Sequence, residues 1–214
     1  MSLGTIPFDL HLHHEPMAKF SEDRRYRYSL KRQVTDGLPW MGVVGNNPSF
    51  AGEYRNDQTT TQLTTFARLW GRGGFELGNL SAGISTDPKK LATMDDPIGP
   101  DNDAWLTHLG DTYDFILLCW GANADPDRAR TVTRRLWHAM QEKNGTLATL
   151  GWTSGPNPQP RHPCRLAHST PLQSLTATAD GDDVWIDPRW AQLIADTTFL
   201  DTDLAQPRRD RSVS

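Results

Sequence analysis

Asn46, Asn47 and Asn79, with Asp57 and His162, are the side chains whose types and settings could do chemistry in this chain. Asn46-Asn47-Pro48-Ser49 follows a short apolar run and Gly45, Asn79 ends a second run, and Arg161-His162 stands in a proline-rich stretch. An amide side chain carries both donors and acceptors, a neutral imidazole one of each, and a carboxylate acceptors alone. Together they could grip a polar ligand by its edge, orient a water and move a proton near neutral pH. Each also has a plainer role. The 45–49 segment is equally a tight turn held by Asn side chains, Asn79 could cap the next turn, and His162 could be an ordinary surface histidine. Cys164, two residues past His162, is a candidate nucleophile activated by that imidazole, whereas Cys119 reads as an inert buried thiol. His11, His13, His14 and Glu15 crowd together before Pro16. Adjacent ligands in an N-terminal arm seldom converge on one centre, so a solvated arm is expected there and no metal site.

No cofactor is expected either. The 45–49 turn lacks the lysine and glycine spacing of a phosphate loop or a dinucleotide fingerprint, and no G-x-S-x-G nucleophile elbow occurs. Two cysteines make neither a disulfide framework nor a zinc site.

The elements that must position these residues alternate in type. Residues 24–35 show the period-2 pattern of a half-buried strand, with Tyr26, Tyr28 and Leu30 inward and Arg25, Arg27, Lys31 and Arg32 toward water. Short apolar strands follow at Trp40 to Val44, Phe75 to Leu80, Asp114 to Trp120 and Thr146 to Trp152. Helical spacing runs from Thr59 to Trp70, from Pro100-Asp101 to about Gly110, and from Asp125 to Lys143, with a short helix opened by Asp87-Pro88. The tail offers a strand at Val184 to Ile186 and a helix from Pro188 to Ala195. Trp70, Trp105 and Trp137 fall on apolar helix faces and read as core, while Phe50, Tyr54 and Trp152 suit either core or ligand stacking. This alternation predicts an α/β fold: a three-layer sandwich around a central, mostly parallel sheet of four or more strands. Residues 1–25 read as an irregular arm, 26–200 as a single α/β domain and 201–214 as a disordered tail. Right-handed crossovers would set all four strand-to-helix loops on one edge, where open α/β sheets bind ligands.

Composition narrows the function classes. The 214 residues carry 22 basic and 26 acidic side chains, a net charge of −4, which argues against a strongly basic nucleic-acid binder. One local exception is the 19–32 stretch, where Lys19, Arg24, Arg25, Arg27, Lys31 and Arg32 outnumber Glu22 and Asp23. The longest uninterrupted apolar run, Phe115 to Trp120, falls far short of the roughly 20 residues a membrane span needs. The first residues lack the cationic flank and apolar core of a signal peptide, so a cytoplasmic protein with no membrane partner is expected.

Taken in order, G-N-N-P-S at Gly45 to Ser49, D-Q-T at Asp57 to Thr59, N-L at Asn79-Leu80, I-G-P-D-N-D at Ile98 to Asp103, W-G at Trp120-Gly121 and R-H-P at Arg161 to Pro163 form a pattern. It resembles a bacterial and phage family known as domain of unknown function 1643, over roughly Tyr28 to Leu172. Ser81 departs from that family's usual phenylalanine, and an Asn-Pro-Gln-Pro insert precedes His162. More distantly, the order G-x-N-P, strand-end Asn, W-G and H-P is similar to the uracil-DNA glycosylase superfamily. That second resemblance implies an N-glycosidase-like hydrolase acting on a nucleotide or a DNA base. Asn47 would then hold the attacking water, Asn79 would read a base edge and His162 would steady the departing base. Asn46, Pro48, Ser49 and Arg161 would complete the substrate site. Asp57 is the candidate general base on the first family's D-x-T alone. The serine-rich loop that follows the glycosylase H-P is replaced here by Cys164-Arg165-Leu166. A non-catalytic nucleotide- or nucleic-acid-binding module, an unrelated α/β enzyme and an interaction protein remain the alternatives.

Overall fold

Seven strands pair edge to edge in one sheet, and its four central strands are built on apolar or β-branched runs that end at a glycine, an asparagine or a turn. The computed structural model describes residues 17–48, 57–84, 94–177 and 186–195. In chain order the elements are β1 (Ala18–Phe20), β2 (Arg27–Gln33), β3 (Trp40–Gly45), α1 (Gln58–Leu69), β4 (Gly74–Asn79) and α2 (Asn102–Thr112). They continue with β5 (Phe115–Leu118), α3 (Pro126–Lys143), β6 (Thr146–Thr149), β7 (Gln173–Thr176) and α4 (Pro188–Ile194). The sheet order is β1-β2-β4-β3-β5-β6-β7. β4, β3, β5 and β6 are mutually parallel, and β1, β2 and β7 add antiparallel flanks. The fold is thus mixed α/β with a parallel centre.

Alternation along the central strands divides the core. Met41, Val43, Phe75, Leu77 and Leu117 pack with Leu63 and Phe66 of α1. Val44, Ile116, Leu118 and Leu147 pack with Leu106 and Leu109 of α2 and Val132 and Leu136 of α3. The helices start where their sequences say they should. Asp57 accepts from the Thr60 amide at 2.7 Å while the Thr60 hydroxyl returns to the Asp57 amide, a capping box that opens α1. Asp125 caps α3 with Pro126 in its first turn, and Asn144 closes it in the left-handed region.

Three expectations need correcting. β2 is not half-exposed: Arg27 and Arg32 are 3% and 8% exposed, and Ser29, Tyr28 and Leu30 are buried too. Its in-sheet partners β1 and β4 close both of its edges and α2 packs against it, which removes the basis for placing alternate residues in water. The segment read as irregular contains β1, which pairs antiparallel with β2. β7 escaped notice because an edge strand of mixed polarity, QSLT, has no apolar run to betray it. Ile186 is irregular and exposed, and the remainder of the strand expected at 184–186 lies outside the described residues, as do the Asp87-Pro88 helix, the N-terminal histidines and the 201–214 tail.

Buried Glu76, in mid-β4, collects partners from β2, from α2 and from the residue that closes α2. Ser29 Oγ donates at 2.5 Å and Tyr113 Oη at 2.8 Å, and His108 Nε2 and Lys31 Nζ lie 3.3 and 4.0 Å away. A carboxylate set in a sheet interior needs such a shell to offset its lost hydration. Among the described residues no helix is long and apolar enough to cross a membrane.

Candidate functional site

Parallel strands end together, so the loops after β3, β4, β5 and β6 share one edge of the sheet. There Asn46, Asn47, Asn79, Trp120, Gly121, Asn123 and His162 line one cleft of about 460 Å³. Asp57 and Thr59 enter it from the start of α1. Arg27 enters because β2 runs antiparallel to β4, which sets the first residue of β2 beside the last residues of β4. Its amide donates to the Ala82 carbonyl at 2.9 Å.

The rim is laced together. Leu80 N–H donates to Gly45 O at 2.9 Å and Ser81 N–H to Asn46 O at 3.0 Å, tying the first two loops. Buried Asn102 spends both hydrogens of its amide on the Asn79 and Leu80 carbonyls, each at 3.1 Å. Arg128 donates to the Leu80 carbonyl at 2.8 Å and pairs with Asp103 at 2.6 Å. The Asn102-Asp103 pair therefore works as a brace that fixes the end of β4 against α3.

Asn79 is 3% exposed, and its Nδ2 has no hydrogen-bond partner among the described residues. A buried donor left unmade costs about 1–3 kcal/mol, so native proteins keep one only for a reason. Gly45 makes room for the group: a Cβ at that position would stand 2.8 Å from Asn79 Oδ1.

His162 is held from two sides. Its Nδ1 accepts the Cys164 amide at 3.3 Å, so in the neutral ring the proton resides on Nε2. Gly121, with φ of +83°, passes so close that a Cβ there would lie 3.2 Å from His162 Cβ. Few residues other than glycine accept that backbone conformation. Gly121 N–H donates to Pro160 O at 2.8 Å and Trp120 Nε1 to Gln159 Oε1 at 2.9 Å, anchoring the loop that carries the histidine.

Burial pushes the His162 pKa below the ordinary histidine value of 6.5, against the pull of the Asp57 charge. The ring is neutral at pH 7. Because the folded chain holds this proton less tightly than the unfolded one, its contribution to stability is intact above the unfolded pKa. It falls away as pH drops through that value toward the folded one. Melting curves from pH 7.5 to 5 should show a smaller acid loss in His162→Gln than in the wild type. Identical slopes would contradict a buried neutral imidazole.

Asp57 does two things at once. Its Oδ1 accepts from the Thr60 amide and, at 3.0 Å, from the Thr60 hydroxyl, while its charge acts on Arg27, Arg32 and His162. Burial pushes the Arg27 guanidinium down to about 10, and Asp57 opposes that shift. The guanidinium is charged at neutral pH.

Of the residues singled out in the sequence, Asn46, Asn47, Asp57, Asn79 and His162 line the cleft together. Pro48 is buried and Arg161 exposed, and neither belongs to the lining. Ser49, Phe50 and Tyr54 lie outside the described residues. The histidine-activated thiol does not take shape: His162 Nδ1 is given to the backbone of Cys164, whose sulfur instead lies 3.6 Å from Thr59 Oγ1. Trp152 is core, edge-on to Trp190 at 5.0 Å. Arg27 and Asn123 were missed. Asn123 follows Trp120-Gly121 in the loop and offered no signal of its own. Among the described residues no group of three or more His, Cys, Asp or Glu side chains is placed to hold a metal ion.

No curated protein and no solved structure matches the chain. A family model described as a protein of unknown function, DUF1643, matches residues 27–164, well over half of the chain and every cleft-lining residue named above. The chain belongs to the DUF1643 family.

Proposed function

We propose that the cleft binds a nucleobase and that the protein hydrolyses the N-glycosidic bond of a nucleotide or DNA base, within a three-layer arrangement like that of the uracil-DNA glycosylases. The observation that carries this reading is the buried amide of Asn79, whose Nδ2 finds no partner among the described residues and whose matching acceptor would be a base carbonyl oxygen. Breaking the bond leaves positive charge on the sugar and negative charge on the base, so the site must answer both. His162 Nε2–H would donate to the departing base anion. Asn47 would hold a water whose oxygen adds to the anomeric carbon, and Asp57 would take its proton. The base then leaves with the glycosidic electron pair and picks up a proton from solvent.

One feature favours a second reading, binding without turnover: Oδ1 of Asp57 already serves as the cap of α1. A single experiment separates the two. Nucleosides, nucleotides and modified-base oligonucleotides are incubated with the protein, and free base is resolved by chromatography while melting temperature is followed. Hydrolysis predicts free base from at least one substrate class, lost in Asn47→Ala. A raised melting temperature with no release over hours selects the binding module, and neither effect with any substrate rejects both.

A further inference from the structure

The described lining of the cleft balances its own charge. Arg27 and Asp57 contribute one formal charge of each sign, and the remainder is amides, a hydroxyl, a neutral imidazole and apolar groups. Such walls do not select a ligand for net charge. The rim beside them is different. β2 begins next to the cleft, and the turn before it carries Glu22 and Asp23, both exposed. With Asp101, exposed at the start of α2, they line a second cavity of about 450 Å³ together with Tyr26 and Tyr28, whose rings stack at 6.2 Å. The two cavities are neighbours. Tyr26 and Tyr28 flank Arg27 on the chain, and Asn102, which follows Asp101, holds the Asn79 carbonyl at 3.1 Å.

These carboxylates keep their charge for solvent. Among the described residues no basic side chain pairs with Glu22 or Asp101. Hydrogen bonds from the Ser21 hydroxyl and the Arg25 amide hold the Asp23 carboxyl below its ordinary value. Across the cleft, exposed Asp125 stands two residues past Asn123. The arginines of this edge are already engaged: Arg128 pairs with Asp103 at 2.6 Å, Arg130 with Asp127 and Arg189 with Asp187. Arg161 and Arg165 are exposed on the His162 loop, two charges where a bound strand is held by several phosphate contacts. A strand laid past the cleft would carry its flanking phosphates toward carboxylates, and like charges at a rim turn partners away. A cleft of about 460 Å³ is of a size for a small molecule held whole.

We infer that the cleft takes a free, uncharged nucleoside and that the carboxylates of its rim turn nucleic-acid strands away; the nucleoside half of this assignment rests on the nucleobase reading of the same cleft. Deoxynucleosides, their 5′-monophosphates and a single-stranded oligonucleotide of the same bases are titrated, at low and at high salt, into wild type and the double variant Glu22→Gln/Asp101→Asn. Nucleosides should bind at least as tightly as their monophosphates and about tenfold or more tighter than the oligonucleotide at low salt. Nucleoside affinity should not change with salt. Oligonucleotide affinity should rise as salt screens the rim, the reverse of binding through phosphate contacts. The double variant should narrow the gap between nucleoside and oligonucleotide several-fold and leave nucleoside affinity where it was. The wild-type salt dependence stands alone if the variant fails to fold. An oligonucleotide that binds as tightly as the nucleoside, or that loses affinity with salt, overturns the inference and leaves the nucleobase reading standing. Monophosphates about tenfold tighter than nucleosides do the same. A gap that the folded variant does not narrow overturns the part given to the rim, and no binding by any probe overturns both readings.

Discussion

Asn79→Ala is expected to keep the stability of the protein within about 1 kcal/mol of wild type while weakening nucleobase binding by roughly 10- to 100-fold. Ordinary buried polar residues behave the other way, because their truncation orphans a partner. Among the described residues this donor has none to orphan. The brace that fixes this part of β4 also survives, since Asn102 holds the backbone carbonyls of Asn79 and Leu80 rather than the Asn79 side chain. The space left adjoins the cleft and can take up water instead of standing as an empty hole. Denaturant melts beside calorimetric titrations check both halves. A loss of several kcal/mol in stability with binding unchanged would mark Asn79 as a structural residue.

His162→Ala should slow base release by roughly 100- to 1,000-fold while changing base affinity only a few-fold, the signature of a donor that acts on charge developing in the transition state. The geometry supports that division of labour. With Nδ1 occupied by the Cys164 amide, the neutral ring has a single donor left, at Nε2. A neutral donor at pH 7 suits an anion that exists only late in bond cleavage, because it does not hold the neutral ground-state base as strongly. His162→Gln, which keeps a donor at a different reach, should recover part of the rate. Equal loss of affinity and rate would make His162 a binding residue, and an unchanged rate would remove it from the chemistry.

The sheet and the gathering of Asn46, Asn47, Asp57, Asn79 and His162 were legible because parallel strands with right-handed crossovers leave their ends little choice of edge. Asn79 at the end of β4 and Asn46 just past β3 sit side by side through the parallel register that pairs Gly45 with Asn79. Arg27 was not legible. The period-2 pattern sends alternate side chains to opposite faces but cannot say whether a face is covered, and the helix packed against β2 decides that from outside the strand. The role of Asn102 was equally hidden, for its partners are two backbone carbonyls more than twenty residues earlier in the chain. Arg161 misled for the opposite reason: its neighbour His162 points into the cleft from an extended loop, and adjacent side chains there diverge.

The side-chain amide resonances of Asn79, identified by their absence in Asn79→Ala, offer the sharpest probe. Uracil, thymine, cytosine, adenine, guanine and hypoxanthine would be titrated separately into nitrogen-15-labelled protein. At least one carbonyl-bearing base should move the Nδ2 protons downfield in a saturable way, along with the His162 ring signals. If all six leave those resonances where they stand, Asn79 does not read a base and the cleft has some other occupant.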